Sequence, residues 1–383
     1  MKRLTGLDLA RALAIFGMVA VNIPLAFATQ DTGAAGLLAN SVAGRAAALF
    51  VILAGVGNSL MTRRARIDPE RARRDRRVIL RRALFLGVWG LGWFPAWPAD
   101  ILHYYAVWMA AAAFLFTWPT RRLVGLAGAV TLLFPVMLVA GVDYEVGWDW
   151  STLTYSGFWT PDGFVRHLFY NGLHPVFPWF AFFLVGMWLG RLDLASPGVR
   201  RWLLGWSLPI LGAAEAFSLV APGVLVAEGM DSELAGLLGG RGPIPPMPQY
   251  IVGASALAVV VILLAIPVAQ RLPRLVAPLV HTGQLALTHY ASHVVLLLFP
   301  LLVLCSPAEL GLDMAPLLPA SGPVLLVAMG LWSLFTIVCS HRWRQVRSRG
   351  PLEQLMRRLT ALPDPTVGSP RSPVSTPSQG ASS

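Results

Sequence analysis

The chain has 383 residues, of which 56% are hydrophobic and only 13% charged, with a mean hydropathy of +0.63. Soluble domains carry about 25% charged residues, so that class is excluded and an all-α, polytopic transmembrane helical bundle is expected. The net charge of +11 would suggest nucleic acid in a soluble protein, but uneven placement of arginine between loops accounts for it, and no nucleic-acid partner is expected.

At about 20 apolar residues per span, ten spans are predicted in chain order: 9–28, 46–61, 83–98, 101–118, 123–141, 173–190, 202–221, 249–269, 279–305 and 321–340. The first run follows Lys2 and Arg3 and ends in Ala26, Phe27 and Ala28, the outline of a cleavable leader. Its apolar stretch of about 20 residues exceeds the roughly 7 to 15 of such leaders, so it is read as an uncleaved span. Between the second and third spans lies RRARIDPERARRDRRVILRR, ten arginines against Asp68, Glu70 and Asp75. Moving such charges across a bilayer costs about 2.5 to 3.5 kcal/mol each, which keeps this loop cytoplasmic. With it inside, 26 of the 30 Lys and Arg residues fall on the cytoplasmic side and eleven of the 19 acids outside, so both termini are expected in the cytoplasm. The chain is read as one transmembrane domain over residues 1–360 and a disordered cytoplasmic tail over 361–383, which lacks apolar periodicity. Cys305 and Cys339 fall at opposite ends of their spans and are not expected to meet.

The outer loop over 141–172 interleaves acids with Trp148, Trp150, Tyr155, Phe158 and Trp159. That mixture suits stacking on sugars, although the aromatic belt of any membrane protein also places Trp and Tyr there.

Ionisable groups within spans are costly and mark pairing or functional sites. Asp8 and Arg11 share a helix face near the cytoplasmic end of the first span, and Asn22 lies near its outer end. His103 follows Asp100 by three residues at the outer start of the fourth span. His174 opens the sixth, after Asn171, and His289 and His293 share one face of the ninth with Tyr290 between them. Glu215 reads as a lone buried acid in the seventh. Histidine exchanges protons near neutral pH, so these are candidate bases. His174 ranks first, because Pro175 suits the first turn of a helix and would set the imidazole at a positively polarised N-terminus. His289 and His293 have a spacing that fits two metal ligands, but no HExxH pattern or nearby carboxylate accompanies them, and no metal is expected.

Several stretches together, RLTGLDLARALAIFGMVAVN, ALFVILAGVGNSL, DILHYYAV, HPVFPWFAFFLVGMWLGR and GQLALTHYASH, resemble the heparan-alpha-glucosaminide N-acetyltransferase-like membrane proteins. The close, WRQVRSRGPLEQLMRRLT, is similar to that of their bacterial relatives in domain-of-unknown-function family 418. The resemblance implies acyl transfer from cytosolic acyl-CoA, acetyl-CoA above all, to a glycan or lipid head group outside, in the bacterial cytoplasmic membrane. His293 matches a histidine in a late span of the heparan enzyme. That enzyme's catalytic histidine soon after the first span has no counterpart here, since residues 29–45 contain none. The candidate catalytic residues are therefore His174, His103, His293 and Asp100. Candidate substrate-binding residues are Asp8, Arg11, Asn22, Asn171, His289 and Tyr290. A secondary transporter and a non-catalytic envelope partner remain as alternatives, and homo-oligomerisation is left open.

A reporter fused after Thr360 is expected to score as cytoplasmic and one inserted near Asp149 as external. Both on one side would remove the ten-span arrangement.

Overall fold

The computed structural model describes residues 3–27, 33–150 and 153–362. It is 75% helical, and its two strands are two residues each. In chain order the helices are α1 (Thr5–Ala26), α2 (Ala34–Val42), α3 (Arg45–Met61), α4 (Pro69–Trp93), α5 (Leu102–Leu115) and α6 (Thr120–Val139). A hairpin of β1 (Trp148–Asp149) and β2 (Thr154–Tyr155) follows, then α7 (Pro161–Arg166), which runs on as a π-helical turn over His167–Asn171. The remainder is α8 (Val176–Leu189), α9 (Pro197–Ala227), α10 (Ser232–Gly239), α11 (Pro248–Arg271), α12 (Pro273–Gln284), α13 (Ala286–His293), α14 (Phe299–Cys305), α15 (Gly322–Val346) and α16 (Pro351–Thr360).

Seven of these segments are long and apolar enough to cross a bilayer, eight if the bent pair of α7 with its π turn and α8 forms one span. Each of the ten predicted stretches is largely helical, but two do not stand as spans on length and apolarity, so ten is an approximate number. In α4 the N-terminal half is the arginine-rich segment, capped by Asp68, whose side chain accepts from Arg71 N, with Pro69 at the first turn. The buried residues Ile79, Ala83, Leu86 and Gly90 recur at helical spacing and turn one stripe inward. In α5, 14 residues are helical, and its first turn is held by Asp100, whose Oδ2 accepts from Leu102 N. The predicted span ending at Ala28 and the predicted tail over 361–383 run past the described residues.

The bundle is organised around α1, which touches α2, α3, α11, α12, α13 and α15. Its Ala10, Ala12, Ala14, Ile15 and Ile23 are all but sealed from solvent. A helix apolar all round belongs in the centre of a bundle. Without water to drive apolar helices together, contact depends on close packing, and small residues permit it. Gly55 of α3 and Gly186 of α8 face each other so closely that a Cβ on either would strike the other helix's backbone.

One expectation is corrected. Glu215 on α9 is not a lone buried acid: Arg45 Nη2 donates to its Oε1 at 2.6 Å and Arg241 Nη1 to its Oε2 at 2.9 Å. Its side chain is 29% exposed, and the three charges tie α9 to the start of α3 and to the loop after α10.

Gly186→Leu is expected to abolish monodisperse elution after detergent extraction, while Gly212→Leu, whose added Cβ meets nothing within 4 Å, leaves the profile unchanged. Equal behaviour of the two would show that the α3 and α8 contact is not a packing constraint.

Candidate active site

The site begins with the cap of α5. Asp100, wholly buried, accepts through Oδ2 from Leu102 N at 2.8 Å and from His103 N at 3.2 Å, satisfying donors that a helix N-terminus otherwise leaves unpaired. The same oxygen takes His103 Nδ1–H at 3.1 Å, and Oδ1 takes the Tyr290 hydroxyl at 3.0 Å. Tyr290 in turn accepts from Ile101 N at 3.1 Å. Gly90 of α4 makes the arrangement possible, since a Cβ there would lie 2.6 Å from Asp100 Oδ2.

A carboxylate oxygen in this setting only accepts, so the proton of a neutral His103 sits on Nδ1 and the lone pair on Nε2. That Nε2 is buried and has no hydrogen-bond partner among the described residues. His293 has the same tautomer by the same logic, since its Nδ1 is hydrogen-bonded to the Tyr290 backbone carbonyl. Its Nε2 is engaged: Asn22 Nδ2 of α1 donates to it at 3.1 Å.

Around His103 two further histidines, His167 and His174, form a cluster that sequence reasoning only partly anticipated. His167, in the π turn after α7, stacks 5.9 Å from the His103 ring and is hydrogen-bonded to the Tyr104 hydroxyl at 3.1 Å. Sequence reasoning singled out neither His167 nor Tyr104: the chain from His167 to His174 runs as a π turn and then extended at Gly172, so no helical spacing links the two histidines. His174 lies in the same neighbourhood, 4.6 Å from Trp179 and 5.9 Å from Tyr104 between ring centres. Among the described residues no carboxylate pairs with it.

The outer loop closes over the cluster. Asn171 holds it there: its Nδ2 donates to Tyr144 O at 3.0 Å and Val146 O at 2.8 Å, and its Oδ1 accepts from the Tyr155 hydroxyl at 3.1 Å. Trp148 Nε1 donates to Asn171 O at 2.6 Å. The amide is thus committed to the loop and offers no hydrogen to a ligand. Burial raises the Tyr155 phenol above its ordinary value, which keeps it a hydroxyl donor. Phe94 and Phe158 stack at 3.7 Å, and both rings also meet His103 and His167 edge-on. Their far side lines a cleft of about 400 Å³, completed by Tyr155, Thr154, Trp159 and Thr160. Trp159 is 66% exposed at its rim.

The other predicted residues lie elsewhere. Asp8 accepts from Arg11 at 2.6 Å, Arg3 at 2.9 Å and Gln284 of α12 at 3.2 Å, a cluster at the opposite end of α1. His289 Nε2 is hydrogen-bonded to Ser340 Oγ of α15 at 2.6 Å.

A helical bundle that seals an Asp, His and Tyr network within its apolar core is an integral membrane protein equipped for polar chemistry. The catalytic family described as Heparan-alpha-glucosaminide N-acetyltransferase, catalytic, matches residues 3–218, more than half of the chain, and Protein of unknown function (DUF418) matches residues 199–363. The chain belongs to this heparan-alpha-glucosaminide N-acetyltransferase-like family, and its function is of the membrane acyltransferase type. No curated protein matches it. The network bridges the two matched stretches, with Asn22, Asp100 and His103 in one and Tyr290 and His293 in the other.

Asp100→Ala would leave several buried donors unpaired, at about 1 to 3 kcal/mol for each group stranded. The expected outcome is a clearly lowered unfolding temperature, with Tyr290→Phe intermediate between it and the unaltered protein.

Proposed function

We propose that the protein transfers an acyl group, acetyl in the first instance, from cytosolic acyl-CoA to a hydroxyl or amine of a glycan or lipid head group held in the outer cleft. The observation that carries this reading is the buried pair of Asp100 and His103, with Nδ1 held by the carboxylate and Nε2 without a partner among the described residues, behind the Phe94 and Phe158 rings that line the outer cleft. A base oriented through its other nitrogen by a carboxylate is the arrangement that nucleophile activation requires.

In this reading the hydroxyl or amine of the acyl acceptor attacks the thioester carbonyl while His103 Nε2 takes its proton. The new C–O or C–N bond forms, the C–S bond breaks, and the departing thiolate recovers the proton from His103, giving the acylated product and free CoA. Asn22, whose amide donates to His293, is the candidate for steadying the negative charge that develops on the carbonyl oxygen. The aromatic rings of Tyr155, Phe158 and Trp159 suit the flat face of a sugar. Arg11 and Asn22 are eleven residues apart on α1, about 16 Å along its axis, so a donor bound by its phosphates at the cytoplasmic face must reach inward with its pantetheine arm. Arginine binds such phosphates in paired hydrogen bonds. The cytoplasmic membrane is the compartment this polarity fits.

The geometry favours His103 over His174, which the sequence had ranked first, because only His103 is paired with a carboxylate among the described residues. His103→Gln is expected to lower acyl turnover by roughly a hundred- to ten-thousand-fold with acyl-CoA affinity near normal, and His174→Gln by less. If the His103 variant keeps most of its turnover while that of His174 is inactive, the base is His174. An absence of binding to every acyl-CoA tested would sink the transferase reading itself.

A further inference from the structure

A second cleft, of about 790 Å³, lies between α4 and α16, apart from the histidine network. Its floor is one face of α4, where Leu84, Phe85, Val88 and Trp89 repeat at helical spacing. From Arg81 to Trp93 it runs for twelve residues, about 18 Å, close to the thickness of one leaflet of a bilayer whose hydrocarbon core is about 30 Å. Its second wall is Leu355 and Leu359 of α16, 40% and 61% exposed.

The charges are confined to one end. Arg357 and Arg358 close α16 and are exposed, and Arg81 Nη1 donates to Ala361 O across the mouth at 3.0 Å. Arg357 and Arg82 stand near enough for their like charges to repel; Arg82 Nη1 donates to Met61 Sδ at 3.1 Å, and its Nε is buried without a hydrogen-bond partner among the described residues. The acid that Arg82 senses is Asp75, two turns back along α4. Glu353 of α16 faces away, its carboxylate accepting from Leu287 N at 2.8 Å, Thr288 N at 3.1 Å and Thr288 Oγ1 at 2.6 Å at the start of α13. Arg81 thus lines the basic end of the cleft, with Arg82 and the exposed Arg357 and Arg358 beside it, and the rest of the lining is an apolar channel about one leaflet long.

We propose that this cleft binds one anionic phospholipid of the cytoplasmic leaflet, its phosphate beside Arg81 and the neighbouring Arg82, Arg357 and Arg358 and an acyl chain laid along α4 against Leu359. An amphiphile with a single charged head matches cations at one end and hydrocarbon along the rest, which neither a peptide nor a soluble anion does. A zwitterionic lipid would set a second cation against the guanidinium groups. Basic residues on an amphipathic helix at the membrane surface have this preference for anionic lipid. Because α16 caps α13 through Glu353, the bound lipid would also brace the helix that carries Tyr290 and His293.

The test is native mass spectrometry of the full chain in detergent, with phosphatidylglycerol and phosphatidylcholine supplied at equal concentration. Retention of one phosphatidylglycerol in preference to phosphatidylcholine, by about tenfold or more, is expected. Arg357→Gln with Arg358→Gln should bring the two lipids to near equality. Gly92→Trp fills the floor where an added Cβ meets nothing within 4 Å, and should expel both lipids without disturbing the elution profile. Equal retention by the unaltered protein, an unchanged preference in the double variant, or full retention in Gly92→Trp would each overturn the proposal. So would displacement of the lipid by inorganic phosphate, which would mark the arginines as a site for a free anion.

Discussion

An acid sealed inside a membrane protein must be compensated locally, and Asp100 is compensated without a cation. Two backbone amides, an imidazole and a phenol converge on its two oxygens. Each of these bonds also does something for its donor: the amides begin α5, the imidazole is held in one tautomer, and the phenol ties α13 to α5. The cost of burying the carboxylate is thus offset by groups that would themselves be costly to leave unpaired in a dry core. The close approach of α4 at Gly90 completes the enclosure. Position, tautomer and helix packing at His103 all follow from that one carboxylate.

The class of fold was legible because composition and arginine placement are bulk properties of the chain. A run of apolar residues needs no partner to be recognised, and each predicted stretch is largely helical. What local sequence could not convey is where a costly group finds its partner. Glu215 reads as an isolated acid because Arg45 is 170 residues away in the chain. Asn171 reads as a candidate substrate-binding residue because the carbonyls that occupy its amide, those of Tyr144 and Val146, carry no side-chain signature.

The site was half legible for the same reason. Asp100 and His103 lie three residues apart and announce a pair, and the structure forms that pair. Tyr290 and His293 were named from their span without any indication that one meets Asp100 and the other Asn22. His167 escaped notice because its importance comes from the π turn and the overlying hairpin, neither of which has an apolar periodicity to read. The ranking of His174 rested on the helix N-terminus beside it, whereas among the described residues it is His103 that has a carboxylate within hydrogen-bond reach.

The bond between Asn22 and His293 joins residues 271 positions apart. At a synthesis rate of about 5 to 20 residues per second, roughly 14 to 54 s separate their emergence from the ribosome. During that interval the first span must rest in the bilayer with its amide satisfied by some temporary partner, water at the outer surface or another chain. Assembly of this buried polar network is therefore a late event in biogenesis, and a polypeptide truncated before the ninth predicted span would insert most of its helices and still lack Tyr290 and His293.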